Sequence, residues 1–335
     1  MNTAINPYPI KIFIVGNNDE LGNKITAHLN TSPAGHAVVF FSDGERILHQ
    51  TETVRGVDVV SIFTSQNGPQ IDRWLMDYLR FVRAIKYGIP HRITVVIPKF
   101  PHQRADVQNY ELRQPKLSDF YANLLKESGA DYIITCKLHN PASCTSDPPM
   151  DNVDTTFLIV DKIIEKFPDL SKIIIAATDL SGGKYFSRKV ADKLMVPLII
   201  TDKERDKVTG KTKSIKVYSY GEISEERTKI VFIDDIISTF GSMNGAADAV
   251  SDKYPFITDY YAAATHADFS EETCENIVSS KFKEIWITDT VPVSDLFVKK
   301  ITESNKSVVV ISVAKLLAKV IDNVHNSIPI SDLWR

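Results

Sequence analysis

Short apolar runs alternate with longer helical patterns along nearly the whole chain. Most of these runs are rich in Ile and Val, which is typical of buried parallel strands. The predicted strands are 10–15, 37–41, 58–63, 92–97, 132–136, 173–177, 197–201, 230–233, 260–264, 284–287 and 307–311. The predicted helices are 20–29, 71–87, 117–128, 155–166, 185–194, one that begins at Met243, and 313–324. Because such alternation builds βαβ units, we predict an α/β fold of mainly parallel sheets flanked by helices.

The chain of 335 residues is long enough to form two domains with full cores. A Pro-rich, irregular stretch over 141–150 is the predicted passage between them. We therefore expect a first domain over 10–150 and a second domain over 151–312. We expect the C-terminal helix and tail, 313–335, to pack back on the first domain.

Charge and cysteine usage restrict the kinds of partner. The net charge of −3 gives no general attraction to nucleic acid or anionic membranes, so we expect neither as a partner. Three cysteines without metal-like spacing argue against a disulfide framework and fit a reducing compartment. The N-terminus lacks a signal-peptide pattern, and no apolar run approaches the ~20 residues of a membrane helix. We expect a cytoplasmic protein.

The stretch 230–243 combines a strand, two carboxylates and a loop of small residues. Asp234 and Asp235 follow the apolar run 230–233, and open α/β sheets hold ligands at the carboxyl ends of their strands. Four residues before the helix offer hydroxyls and backbone N–H groups suited to a phosphate: Ser238, Thr239, Gly241 and Ser242. The alternative is an ordinary strand-to-helix turn in which Asp and Ser cap the helix.

Other predicted strand ends carry polar groups, namely Asp43, Glu45, Arg104, Asp106, His139, Asp179, Lys203 and Arg205. Each has a purely structural interpretation when taken alone, as a turn, a helix cap, a buried histidine or a solvated charged face. Together they form a consistent chemical set. Carboxylates bind Mg²⁺ and sugar hydroxyls, and cations on a basic flap over Lys203–Lys216 would neutralise a transferring phosphoryl group. Such a transfer depends on positioning and electrostatics, so no nucleophilic side chain is required.

Specific motifs resemble known families. The stretch 230–243 is similar to the phosphoribosyl-pyrophosphate fingerprint of type I phosphoribosyltransferases. A narrower resemblance to the ribose-phosphate pyrophosphokinase family runs from about Lys11 to Trp334. It is carried by Phe41–Glu45, 54–59, Ile97–Pro98 with Arg104 and Asp106, Leu138–His139, Lys203–Arg205, 264–266, 288–290 and the tail 327–334. The resemblance implies two tandem phosphoribosyltransferase-like domains. It also implies transfer of the β,γ-diphosphoryl group of ATP to the C1 hydroxyl of ribose 5-phosphate, giving phosphoribosyl pyrophosphate and AMP.

The resemblance also implies a role for each matching residue. Phe41, Asp43 and Glu45 would face the adenine of ATP from a neighbouring subunit, which implies a homo-oligomer of at least two copies. Arg104 and Asp106 would complete the ATP site. His139 and Asp179 would hold Mg²⁺, directly or through water, with His139 also counted among the catalytic residues. Lys203 and Arg205 would stabilise the transition state. The ribose 5-phosphate would be held by Asp234, Asp235, Ser238, Thr239, Phe240, Gly241 and Ser242.

Several positions depart from the family pattern and keep alternatives open. They are Ala105, Lys137, 143–146, Ser181, Tyr185, Ser238 and Phe240. Phe240 stands where small residues are usual, which suggests a 5-substituted ribose such as ADP-ribose as the acceptor. We favour the interpretation in which the ring packs beneath the loop. A non-catalytic regulatory homologue is a further alternative, and a phosphoribosyltransferase ranks last.

Overall fold

The computed structural model describes residues 6–16, 18–64, 71–108, 111, 113–180, 182–205 and 212–334. For 182–184, 204, 205, 212, 213 and 334 it describes the backbone alone. The chain divides into two compact units. Unit 1 comprises Met1–Asp154, Thr290–Pro292 and Ser312–Arg335, and unit 2 comprises Thr155–Asp289 and Val293–Ile311.

Unit 1 is built on a five-stranded parallel sheet. Its strands are β1 (Ile10–Gly16), β4 (Asp58–Thr64), β5 (Arg92–Ile97), β6 (Tyr132–Cys136) and β7 (Met150–Val153), in the order β1-β4-β5-β6-β7. Its helices are α1 (Glu20–His28), α2 (Ile71–Tyr87), α3 (Leu117–Ser128) and α9 (Ala314–His325). Helix α2 buries one face against the sheet, including Leu75, Tyr78 and Val82, while α9 packs against α1. This burial supplies the main apolar stabilisation of the unit.

The change from unit 1 to unit 2 falls between Asp154 and Thr155, later than the predicted boundary at 150/151. The reason is that Met150–Val153 pairs with β6 as the fifth strand of the sheet. The Pro-rich stretch 141–150 is therefore a connection inside unit 1. It is fixed locally, since the Thr145 hydroxyl donates to the Pro148 carbonyl at 2.8 Å.

A small antiparallel hairpin adjoins α2 in unit 1. It consists of β2 (His36–Phe40) and β3 (Arg46–Gln50), joined by a turn over 41–45. The sequence predicts a single strand over 37–41 and misses the returning β3. Arg46 fastens the hairpin to α2, because it pairs with the buried Asp77 and stacks over Trp74 at 4.7 Å.

Unit 2 is built on a seven-stranded sheet. Its strands are β8 (Ile173–Ala177), β9 (Leu198–Arg205), β10 (Thr212–Tyr220), β11 (Lys229–Ile237), β12 (Asp259–Ala267), β13 (Phe282–Thr288) and β14 (Ser307–Ile311). Their order is β10-β9-β8-β11-β12-β13-β14, parallel except for β10. The helices are α4 (Thr156–Lys166), α5 (Gly182–Leu194), α6 (Gly241–Lys253), α7 (Thr273–Val278) and α8 (Asp295–Thr302). Among the residues that the structure describes in both units, short 3₁₀ turns occur at Pro141–Ser143, Leu170–Lys172 and Ser331–Trp334.

The central strand β11 is buried on both faces. Ile230 and Phe232 belong to one apolar cluster, whereas Val231 and Ile233 belong to the cluster on the opposite face. This explains why the strand reads as a continuous apolar run rather than an alternating one. Within the described ranges, no helix has the length and apolar character needed to cross a membrane.

The predicted basic flap, Lys203–Lys216, is largely paired strand in its described parts. Strand β9 extends to Arg205, and β10 returns antiparallel to it, with Lys203 opposite Ile215 and Asp202 opposite Lys216. Ladder hydrogen bonds to β9 therefore fix the backbone of β10 at the sheet edge, so the described parts of the segment are paired strand rather than the mobile flap that its lysine-rich sequence predicts. Residues 206–211 lie outside the described residues.

Candidate active site

The acidic pair of unit 2 lies inside β11 rather than after it. Pairing of β11 with β8 ends at Ile233 and Ala177, whereas pairing with β12 continues to Ile237 and Ala267. Asp234 and Asp235 therefore occupy the part of β11 that extends beyond β8. The predicted strand 230–233 is therefore too short, because β11 continues to Ile237 and the acidic pair lies within it.

Asp234 is held by the neighbouring strand end. The Thr178 hydroxyl donates to Asp234 Oδ2 at 2.6 Å, and the Asp235 backbone N–H donates to Oδ1 at 3.0 Å. Burial raises the pKa of Asp234 well above its usual value, and the negative charges of Asp235 and Asp179 raise it further. Asp235 is only 3% exposed. Three carboxyl groups thus concentrate negative charge at one place, which hydroxyl donors or a cation would relieve.

The loop that follows β11, residues 238–242, is named here the phosphate loop. Phe240 adopts the left-handed conformation, with φ 68° and ψ −4°, and caps α6, which begins at Gly241 rather than at the predicted Met243. The first turn of α6 contains no acidic residue. The Gly241 N–H donates to Thr239 Oγ1 at 3.3 Å. The N–H groups at a helix start and the positive end of the helix dipole favour an anion there.

Open space lies beside Gly241. A Cβ atom built on this glycine would meet only the Thr239 Oγ1 atom, at 3.5 Å, which is an ordinary contact. The protein itself therefore does not require glycine at this position. A ligand atom can approach the backbone here, as phosphate-binding loops require.

The ring of Phe240 points into the core. The residue is 2% exposed and meets Phe282 edge-on, with ring centroids 5.0 Å apart and planes at 81°. The structure thus has the packed arrangement favoured from the sequence, and Phe240 contributes almost nothing to the exposed surface of the loop. The ring cannot stack on a bulky acceptor in this position. The presence of Phe240 therefore no longer favours ADP-ribose over ribose 5-phosphate as the acceptor.

Lys203 reaches the phosphate loop from β9. Its Nζ atom lies 3.5 Å from the carbonyl oxygen of Ser242. This places one of the two predicted flap cations beside the predicted anion site. The backbone of Arg205 is the last of β9, and its side chain lies outside what the structure describes.

His139 of unit 1 is positioned by two side chains from other segments. The Leu138 N–H donates to Asn152 Oδ1, and the His139 N–H donates to Gln103 Oε1, both at 2.9 Å. Gln103 is 3% exposed, and among the described residues its Nε2 atom has no hydrogen-bond partner. Sequence reasoning missed Gln103, although it lies beside Arg104 in the predicted ATP site.

The turn of the hairpin holds Phe41, Asp43 and Glu45 together. The Phe41 N–H donates to the Glu45 carbonyl at 2.9 Å, and the Glu45 N–H donates to Asp43 Oδ1 at 3.0 Å. Gly44 has φ 91°, a conformation that favours glycine. Asp43 therefore has a structural role in the turn. All three side chains are exposed and can meet a ligand.

The departures from the family pattern fall in different surroundings. Lys137 has φ 38° and its Nζ lies 3.8 Å from Asp154 Oδ1, both in unit 1. Tyr185 is a largely exposed residue of α5. Ser181 lies outside the described residues. Ala105 donates its N–H to the His102 carbonyl at 2.9 Å.

The sequence is similar to known proteins along nearly its whole length. Residues 10–129 match a family model for the N-terminal domain of ribose phosphate pyrophosphokinase, and residues 200–335 match one for the phosphoribosyl synthetase-associated domain. The chain is 32% identical over 336 residues to the ribose-phosphate pyrophosphokinase of Oceanobacillus iheyensis, covering 100% of both proteins. It is also 32% identical to the Fusobacterium nucleatum protein of the same name, covering 98% of this chain and 99% of that protein. The chain belongs to the ribose-phosphate pyrophosphokinase family.

A solved structure confirms the fold predicted from the sequence. The crystal structure of phosphoribosylpyrophosphate synthetase from Mycobacterium smegmatis matches with a TM-score of 0.79 and 26% identity, covering 95% of this chain and 99% of that one. The family resemblance of the motifs is thereby confirmed, together with two phosphoribosyltransferase-like α/β units of mainly parallel strands flanked by helices.

Magnesium is expected for a member of this family. The predicted ligands His139 and Asp179 belong to different units. Within the described ranges, no three His, Cys, Asp or Glu residues converge as metal ligands. The carboxylates near Asp234 still offer the oxygen ligands that Mg²⁺ prefers, and this ion usually binds through one or two carboxylates plus waters and substrate phosphates. The carboxylates of unit 2 therefore suit a Mg²⁺ ion that takes most of its ligands from outside the protein.

Proposed function

We propose that the protein is an ATP-dependent ribose-phosphate diphosphokinase. It transfers the β,γ-diphosphoryl group of ATP to the C1 hydroxyl of ribose 5-phosphate, giving phosphoribosyl pyrophosphate and AMP. The observation that carries the proposal is the direct succession of the acidic pair, the phosphate loop and the start of α6, in a chain of this family. This one segment offers acceptors for sugar hydroxyls and donors for a phosphate.

The acceptor is held by unit 2. Asp234 and Asp235 accept hydrogen bonds from the 2- and 3-hydroxyls of the ribose, and these donors lower the raised pKa of Asp234. The backbone N–H groups and hydroxyls of the phosphate loop bind the 5-phosphate. Charged hydrogen bonds of this kind fix the sugar, and so orient its C1 hydroxyl for the transfer.

The transfer forms one bond and breaks one. The C1 oxygen bonds to the β-phosphorus of ATP, the bond from that phosphorus to the α,β-bridging oxygen breaks, and the hydroxyl proton is released. Lys203 and Arg205 stabilise the negative charge that develops on the phosphoryl oxygens. His139 and Asp179 would hold Mg²⁺, directly or through water. The bound ion would neutralise charge on the phosphates of ATP.

The nucleotide is recognised by residues of unit 1. Phe41 offers an exposed aromatic face to the adenine, with Asp43 and Glu45 beside it. Arg104 and Asp106 complete this set. We propose that the hairpin serves the site of a neighbouring subunit in a homo-oligomer of at least two copies. Support comes from its exposed apolar residues, Val38, Val39, Phe40 and Ile47.

We also propose a cytoplasmic location. None of the three cysteines, Cys136, Cys144 and Cys274, forms a disulfide in the described part of the chain, which fits a reducing compartment. Measuring the protein in cell fractions with an antibody tests this proposal. Recovery in a membrane or extracellular fraction would contradict it.

The activity is tested with purified protein, Mg²⁺, ATP and ribose 5-phosphate, by following AMP chromatographically. We expect AMP and phosphoribosyl pyrophosphate in equal amounts, and none from an Asp235→Asn variant. Absence of AMP with wild-type protein would contradict the proposal. A second assay with an active synthetase of the family would then ask whether the chain is the non-catalytic regulatory homologue.

A further inference from the structure

Helix α7 holds the backbone of the phosphate loop from behind. The Thr273 hydroxyl donates to the carbonyl of Ser238, and Asn276 Nδ2 donates to the carbonyl of Thr239 at 2.8 Å. These are two consecutive peptide groups. In a trans peptide the C=O and N–H bonds point in opposite directions. The N–H groups of Thr239 and Phe240 are therefore turned away from α7.

Helix α7 is itself fixed. Thr273 is fully buried, and its Oγ1 atom also accepts the Ser270 N–H at 2.9 Å. Asn244, in the first turn of α6, donates from Nδ2 to the Asn276 carbonyl at 3.0 Å. The phosphate loop thus lies between two helices that are hydrogen-bonded to each other. A loop held in this way loses little conformational entropy when it binds an anion.

Phe240 provides a third point of attachment. Its left-handed conformation is costly for a residue with a side chain. The buried ring, packed against Phe282, holds the residue there. Phe240 lies between the end of β11 and the start of α6. A left-handed residue in such a position turns successive backbone N–H groups to the same side, as in anion-binding nests.

We propose that Thr273 and Asn276 are positioning residues for the acceptor phosphate. They do not touch the substrate. Together with Phe240 they hold the phosphate loop in its binding conformation before ribose 5-phosphate arrives. The inference rests on the proposed function for the identity of the acceptor, whereas the bracing of the loop is a property of unit 2 alone.

The first arm of the test is kinetic. We expect Thr273→Val and Asn276→Ala each to raise the KM for ribose 5-phosphate about tenfold, because an unpaired loop carbonyl lets the loop leave its binding conformation. The KM for ATP and kcat should change less than twofold. Thr273→Ser keeps the hydroxyl donor and should have the wild-type KM for ribose 5-phosphate. Ser279→Ala, just after α7, is the matched control, since that hydroxyl donates only to carbonyls of α7, those of Glu275 at 2.9 Å and Asn276 at 3.4 Å, among the described residues.

The second arm does not need activity. Amide hydrogen exchange is measured for the peptide that contains the phosphate loop, with and without inorganic phosphate. We expect faster exchange in Thr273→Val and Asn276→Ala, and weaker protection by phosphate than in wild-type protein. Because Asn276 is only partly buried, Asn276→Ala keeps the test valid if Thr273→Val does not fold.

The two arms separate two kinds of failure. If wild-type protein produces no AMP from ribose 5-phosphate, the proposed function is wrong. The exchange measurement still tests whether Thr273 and Asn276 hold the phosphate loop. Unchanged loop exchange and unchanged phosphate protection in both variants would overturn the inference. An equal rise in KM with Thr273→Ser would also overturn it, because the retained hydroxyl would then be irrelevant.

Discussion

The phosphate loop and the hairpin turn over 41–45 are both predicted to hold phosphorylated substrates, and they are built in opposite ways. In the phosphate loop, two carbonyls are hydrogen-bonded by α7 and the aromatic residue is 2% exposed. In the hairpin turn, the hydrogen bonds are internal and Phe41 is 46% exposed, and the adjoining Phe40 of β2 is 70% exposed. The loop is complete within its own unit. The hairpin presents apolar surface that its own chain leaves open, as an element completed by a second subunit would.

The largest expected effect is on stability and concerns the loop. Phe240→Ala should lower the free energy of unfolding by about 3–5 kcal/mol, because it leaves a cavity beside Phe282. Urea unfolding followed by circular dichroism measures this change. A loss below about 1 kcal/mol would mean that the ring is not part of the core, and the contrast with the hairpin would fail.

The next effect is on the transfer and concerns the cation beside the loop. Lys203→Ala should lower kcat about 10²–10³-fold, because it removes a preorganised positive charge that stabilises the negative charge developing on the phosphoryl oxygens. Steady-state kinetics with ribose 5-phosphate as the varied substrate measures it. Lys216→Ala, on the exposed edge strand β10, is the matched control and should leave kcat unchanged. Equal losses in the two variants would contradict a specific role for Lys203.

A smaller effect follows from the acidic pair. The folded-state pKa of Asp234 is raised, so the folded protein binds its proton more tightly than the unfolded chain. Stability from this group is therefore greatest at low pH and is lost as the pH rises from the usual Asp value through the raised one. Asp234→Asn should increase the free energy of unfolding at pH 7 by about 1 kcal/mol while lowering turnover. Unfolding curves at pH 4 and pH 7 would show a smaller gain at pH 4; a destabilised variant at pH 7 would contradict the assignment.

The smallest expected change in stability concerns the hairpin. Phe40→Ser should change the free energy of unfolding by less than about 0.5 kcal/mol, because the ring is mostly exposed. It should nevertheless weaken assembly, which light scattering after gel filtration would detect as a lower mass at low protein concentration. Phe120→Ser, at a half-exposed ring on α3, is the control for lost surface apolarity. An unchanged mass in Phe40→Ser would remove the hairpin from the proposed subunit contact.

The parallel strands and the acidic pair could be predicted from the sequence because both are visible in the pattern of neighbouring residues along the chain. Ile230–Ile233 reads as a buried strand, and Asp234 with Asp235 stands out directly after it. The residues that hold the site could not be predicted in this way. Thr273 and Asn276 lie 35 and 37 positions from their partners and act on backbone carbonyls, which leave no motif. Gln103 likewise acts on the backbone of His139, 36 positions away.

Other differences have equally physical causes. The returning strand β3 is short and polar at both ends, so it lacks a strong apolar signal. Strand β10 occupies a sheet edge, where lysines are tolerated and the pattern resembles a solvated segment. The position of the Phe240 ring depends on a positive φ angle. Such an angle is uncommon for a residue other than glycine, so the sequence does not predict it.

The acceptor can be decided in a single competition assay. Wild-type protein is incubated with Mg²⁺, ATP and equal concentrations of ribose 5-phosphate and ADP-ribose, and the diphosphorylated products are identified by mass spectrometry. With the Phe240 ring in the core and an open phosphate loop, the product should be phosphoribosyl pyrophosphate almost alone. Equal or greater diphosphorylation of ADP-ribose, or no product from either acceptor, would contradict the account.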